Sequence, residues 1–156
     1  MTRLVRFATR IWPVRTSAQL LLARAEEATG ARPSAIASYR TVLTSDPSNL
    51  VALNNLAYHL ATDDPDQALK LAQQAIELAP DSATIQDTLG LIYYRKGLYR
   101  TAIRCLKTAV DKESTPERQF HLGMSYLKSG DQIKGEKLVK DALQKDPNLV
   151  KTEQGW

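Results

Sequence analysis

The chain has 156 residues, 43% of them apolar, with seven prolines, seven glycines and a single cysteine, Cys105. This length suits one compact domain or a short repeat array, the composition excludes collagen-like and low-complexity classes, and one cysteine excludes an intrachain disulfide framework. The formal charge of +4 is supplied by Arg3, Arg6, Arg10 and Arg15, because the remaining 17 basic residues balance 17 acids. Lys and Glu interleave along this neutral body, so binding of nucleic acid by it is disfavoured. Helix formers dominate, and β-branched residues never alternate as a half-buried strand requires, so the chain reads as all-α.

A fixed period organises the sequence. Pro13, Pro47, Pro80 and Pro147, with Ser114 in place of a fifth proline, recur at spacings of 34, 33, 34 and 33. Five residues before each stand Ala8, Val42, Ala75, Ala109 and Ala142. Ala35, Ala68, Ala102 and Gly135 form another small-residue column. The pairs Leu22-Ala23, Leu56-Ala57, Leu89-Gly90 and Leu122-Gly123 form one more. Small residues at a fixed period allow helix backbones to approach where they cross, and Gly90 and Gly123 are expected to be the closest points.

In chain order, residues 1–15 make a basic segment without acids. Leu4, Ala8 and Ile11 share one helical face, Arg3, Arg6 and Arg10 share another, and Pro13 fits the repeat register. The segment is therefore expected to be the second helix of a partial unit, with an organelle-targeting or membrane-surface helix as the rival expectation. Four units follow, at 16–48, 49–81, 82–115 and 116–147, and then a tail at 148–156 ending in Trp156. Gly30, Gly97 and Gly130 are placed to end the first helix of a unit in a left-handed conformation. Asp64-Pro65 and Thr115-Pro116 each place a capping oxygen before a proline at the first helical position, and Asp64 with Gln67 has the spacing of a capping box. The turn of the second unit is one residue shorter.

Leu89-Gly90, Tyr93, Gly97, Ala102 and Ala109 resemble the tetratricopeptide pattern, as do Leu122-Gly123, Tyr126, Gly130, Ala142 and Pro147 and, in the first unit, Leu22-Ala23, Gly30, Ala35, Tyr39 and Pro47. The resemblance covers residues 16–147. It implies a right-handed α-solenoid of antiparallel helix pairs, about four units plus a partial N-terminal one, that binds other polypeptides and is not an enzyme. The strings Leu53-Asn54-Asn55-Leu56-Ala57 and Asp87-Thr88-Leu89-Gly90 are similar to tetratricopeptide proteins of bacterial envelope and exopolysaccharide export systems. A soluble protein of the bacterial cytoplasm or periplasm is the corresponding expectation.

In that family the first helices line a concave groove for partner peptides. By column, the groove residues implied here are Leu20 and Arg24; Asn54 and Tyr58; Asp87, Leu91, Tyr94 and Arg95; and Phe120, Met124, Leu127 and Lys128. Tyr94, Phe120 and Met124 suggest an apolar anchor, with Arg95 and Lys128 steering acidic partners; the alternative is that Met124 and Leu127 pack beneath a neighbouring helix or terminal segment. Some family members grip a C-terminal carboxylate with basic residues and asparagine. Only Asn55 fits such a column, Thr84, Thr88 and His121 replacing the rest, so this clamp is not expected.

His59, His121 and Cys105 lie on different helices without ligand spacing, no phosphate loop or nucleophile motif occurs, and Asp63 and Asp64 read as cap residues. No cofactor, metal or small-molecule substrate is expected, and the histidines read as surface residues. The expected partner is another protein or a peptide segment, with self-association through uncapped ends a further expectation. Two other readings stand beside the scaffold: a membrane-surface or nucleic-acid adaptor working through the N-terminal arginines, and a substrate-recruiting fragment of a larger enzyme or export complex.

Overall fold

The computed structural model describes the backbone of residues 2–149 and the side chains of residues 15–149; the tail from residue 150, with Trp156, lies outside the described residues. The described residues form eight α-helices and no strand: α1 Thr2–Ala28, α2 Arg32–Ser45, α3 Leu50–Leu60, α4 Pro65–Leu78, α5 Ala83–Arg95, α6 Tyr99–Lys112, α7 Pro116–Ser129 and α8 Gln132–Lys145.

Local chemistry sets the boundaries. Asp64 and Thr115 accept from the backbone N–H groups of Gln67 and Arg118 at 3.0 and 3.2 Å. Each precedes a proline whose missing N–H would have had no helical partner. The reciprocal half of the Asp64–Gln67 box is not made. The Asp64 N–H donates to the Leu60 carbonyl, and the Gln67 side-chain oxygen accepts from Arg40 of the preceding pair. Asn49, Ser82 and Asp131 cap α3, α5 and α8 in the same way. Gly30, Gly97 and Gly130 follow first helices at φ of 76°, 73° and 93°, a region costly for any residue with a Cβ. The α3–α4 turn has no such glycine and leaves its helix through Ala61 in a right-handed conformation.

The N-terminus departs from the expected register. α1 is one helix of 27 residues that continues through Pro13. Residues 2–15 thus lengthen the first helix of the first pair, in place of a separate second helix closed by that proline. The side chains of Arg3, Arg6 and Arg10 lie outside the described ones.

Short turns make α1/α2, α3/α4, α5/α6 and α7/α8 hairpins, and the second helix of each packs on the first helix of the next. First helices also touch each other, α3 on α5 and α5 on α7, whereas no comparable contact joins α2 to α4, α4 to α6 or α6 to α8. A double row whose first helices are the closer ones curves toward them. The concave side is therefore lined by α1, α3, α5 and α7.

The small-residue columns form the interior, with Ala35, Ala68, Ala102, Ala75, Ala109 and Ala142 all at 0% exposure. A Cβ at Gly90 would lie 2.4 Å from Cγ of Leu106, a side-chain neighbour. At Gly123 it would lie 3.0 Å from the Val139 backbone nitrogen, and at Gly135 2.8 Å from that of Leu127. Among the glycine positions the closest backbone approach is thus at the α7–α8 crossing, made by Gly123 from one helix and Gly135 from the other, while Gly90 admits the buried Leu106.

Gly123→Ala and Gly135→Ala should each cost about 1–3 kcal/mol by overpacking, read as a lower urea midpoint, with amide exchange quickening first in α7 and α8. Cys105 is buried, which pushes its thiol pKa up. It should resist a disulfide reagent in the native protein and react fully once urea unfolds the chain.

Candidate functional site

The inner row of helices carries polar side chains at the repeat period, and they tie successive units together. Tyr39 of α2 is fully buried, donates to Glu27 Oε2 of α1 at 2.8 Å and accepts from Asn55 Nδ2 of α3 at 2.8 Å. His59, also of α3, places Nε2 3.1 Å from Glu27 Oε1 and stacks on the Tyr39 ring. His59 and its carbonyl, which accepts from Arg32, hold the α1–α2 hairpin against the second pair. Hydrogen bonding to His59, reinforced by Tyr39, holds the Glu27 carboxyl below its usual range. Burial is the main cause that pushes the Tyr39 hydroxyl up to about 12.

An equivalent tie joins α5 to α7. His121 is 1% exposed, and its Nδ1 lies 2.9 Å from Asp87 Oδ1. Arg118, at the start of α7, donates to the Glu113 carboxylate at 2.6 Å and to the Thr84 hydroxyl at 3.1 Å. Both histidines are therefore buried partners of carboxylates one repeat away, not the surface residues that a lone histidine suggests. The near-period spacings Glu27–His59 and Asp87–His121 are the sequence signal for them.

The implied groove residues divide by exposure. Leu91, Tyr94 and Phe120 are 5%, 6% and 6% exposed. Tyr94 packs with Ala102, Leu106 and Leu122, whereas Phe120 packs with Ala142 and Leu149. Their rings serve two separate parts of the interior, with the half-buried Met124 against both. Little of either ring is left to meet a partner. Asn54 is buried, and Asp87 faces His121. Leu127 borders an open apolar recess of about 580 Å³ with Val139 and Leu143 of α8. What remains accessible along the inner row is Arg24, the 39%-exposed Tyr58, the half-buried Arg95 and Met124, and the exposed Lys128. Arg95 lies over the Tyr94 ring, 5.9 Å from its centroid.

The carboxylate-clamp columns are occupied by internal bonds. Asn55 serves Tyr39, Thr88 donates to the Thr84 carbonyl, and His121 faces Asp87. Among the described residues no group of three or more His, Cys, Asp or Glu is placed to hold a metal ion, and no helix is long and apolar enough to cross a membrane.

The tetratricopeptide repeat family model matches residues 53–99 and 88–149, well over half of the chain. The chain belongs to the tetratricopeptide repeat family. It is 38% identical over 86 residues to the TPR repeat-containing protein PA4667 of Pseudomonas aeruginosa, a match that takes in 54% of this chain but only 15% of that protein. The thermophilic TPR protein TTC0263 of Thermus thermophilus superposes with a TM-score of 0.73 at 26% identity, over 85% of this chain and 74% of that one. Pseudomonas aeruginosa PilF gives 0.72 at 21% identity, over 92% of this chain and 71% of that one. MamA of Desulfovibrio magneticus RS-1 gives 0.71 at 18%, over 90% and 78%. The last two likenesses show the fold alone. Tetratricopeptide solenoids serve in general as scaffolds for protein–protein interaction.

In this tetratricopeptide chain the Glu27 carboxyl titrates lower folded than unfolded. Its stabilising contribution is therefore fully present above about pH 4.5 and is lost as pH falls through the lower folded value. Glu27→Gln should lose about 1 kcal/mol at pH 7, a partly solvated hydrogen-bonded pair being screened. Urea titrations at descending pH should show the gap to the parent closing below about 4.5.

Proposed function

We propose that the chain is a non-catalytic scaffold that receives an extended, acidic segment of another protein along the concave side of α1, α3, α5 and α7. The observation that carries this reading is the set of side chains left accessible there. Tyr58 keeps an exposed ring on the inner row, and Arg24, Arg95 and Lys128 stand along the same row, with Met124 between the last two in the helix order. An exposed aromatic beside adaptable and cationic side chains offers contact area at low entropic cost together with charge steering. The polar ties beneath supply rigidity. Glu27, Asp87 and the two histidines are engaged with each other, so the floor of the groove is fixed before a partner arrives, and less ordering entropy is lost on binding.

The test is a pull-down with the full chain beside a Tyr58→Ala, Arg95→Ala, Lys128→Ala variant, followed by titration of the partner so identified. The substituted side chains are accessible, and circular dichroism should show an unchanged fold. Affinity should fall at least about tenfold in the variant, and binding by the parent should weaken as salt is raised. Equal affinity in both proteins would move the binding surface off the concave face.

A further inference from the structure

Over the described side chains of α1, residues 15–28, one face packs on the stack and the opposite face is open. Thr16, Gln19, Leu20, Ala23 and Glu27 turn toward the stack, with Ala23 fully buried, Gln19 donating to Ser38 of α2, and Glu27 in the tie to α3. The opposite side presents Ala18, Leu21, Leu22 and Ala25, spaced i, i+3, i+4 and i+7, all of them exposed. Leu21 and Leu22 reach 66% and 47% exposure. Leu22 belongs to the column that is buried in the other units at Leu56, Leu89 and Leu122.

In the sequence Leu4, Phe7, Ile11 and Val14 stand before Ala18 at the same three- and four-residue spacing, and α1 runs from Thr2 to Ala28. In the sequence this half of α1 carries Arg3, Arg6, Arg10 and Arg15, with no acid before Glu26.

We infer that this face of α1 is a docking surface for an anionic membrane, on which the helix lies in the interfacial plane. Exposed leucines on a helix whose sequence is arginine-bearing and acid-free before Glu26 match the two layers of such a surface, acyl chains below and phosphate headgroups around. Charge selects this occupant over a second copy, because pairing two such helices would bring two arginine-bearing, acid-free segments together. The open face is turned away from α2 and α3, so a membrane bound there leaves the concave side of the later helices free. Among the described residues no helix is long and apolar enough to cross a membrane, so the contact proposed is with its surface.

The experiment is co-sedimentation of the full chain with vesicles of phosphatidylcholine alone and with vesicles containing roughly a quarter phosphatidylglycerol. Binding is expected to the second and not to the first, with release at high salt. A Leu21→Glu, Leu22→Glu variant alters two exposed positions, so its circular dichroism should match the parent while vesicle binding drops at least about tenfold. Arg3→Gln, Arg6→Gln, Arg10→Gln should lower it comparably. The inference is overturned if the parent binds neither vesicle, binds both equally, or binds anionic vesicles with both variants unchanged. It is overturned as well if the parent is a dimer that Leu21→Glu, Leu22→Glu dissociates without any vesicle binding, or if it retains an oligonucleotide but no vesicle. Partner binding on the concave side, titrated with the same glutamate variant, should be unaffected, which separates this result from the fate of the groove.

Discussion

Everything in this fold depends on how closely helix backbones approach where they cross. Helices of eleven to fourteen residues, as α2 to α8 are, are marginal alone in water and draw their stability from tertiary packing. A column of alanine or glycine at each crossing lets neighbours approach until the longer side chains of one fill the space left by the other, as Leu106 does over Gly90 and Leu127 over Gly135. The period of the small residues is therefore the period of the structure. A substitution at one crossing acts on a hairpin and on both of its interfaces.

Burying apolar columns alone would leave neighbouring units free to slide, since alanine surfaces are smooth. The polar ties on the inner row oppose that. Glu27 to His59 and Asp87 to His121 are met only in one register, and Tyr39 and Asn55 add directional bonds to the first of them. Buried polar groups are costly without partners, so a one-turn slip would forfeit these bonds and strand the groups that make them. Apolar columns thus provide cohesion, while the ties provide alignment and a rigid floor for the concave side.

The repeat, its turns and most of its helix starts were legible in the sequence because each rests on local chemistry: a glycine where φ must be positive, a hydroxyl or carboxylate before a proline, an alanine at a fixed interval. What a side chain meets across the stack was less legible. Tyr94 and Phe120 stand in groove columns, yet packing with Leu106 and Leu149 draws both inward, and nothing near them in sequence announces those neighbours. Pro13 is the instructive case. Pro47 and Pro80 are each followed two residues later by a capping residue, Asn49 and Ser82. Pro13 is followed by Val14, Arg15 and Thr16, with no glycine and no cap at the corresponding place. Register alone made it a terminator; without a cap to restart a helix, α1 continues through it.

That continuity makes the two ends of the stack unlike. A further hairpin laid on α1 would cover Leu22 as Leu56, Leu89 and Leu122 are covered, but its approach would have to accommodate a helix that extends from Ala28 back to Thr2 and is basic along its first half. At the other end, Leu127, Val139 and Leu143 line an apolar recess whose rim, Glu136 and Lys140, carries both signs of charge. A mixed rim is compatible with another neutral repeat face, whereas a rim of one sign favours a partner of the opposite sign. The direction of the stack, from an arginine-bearing helix toward a hairpin face of mixed charge, is therefore written in its charges as well as in its chain order.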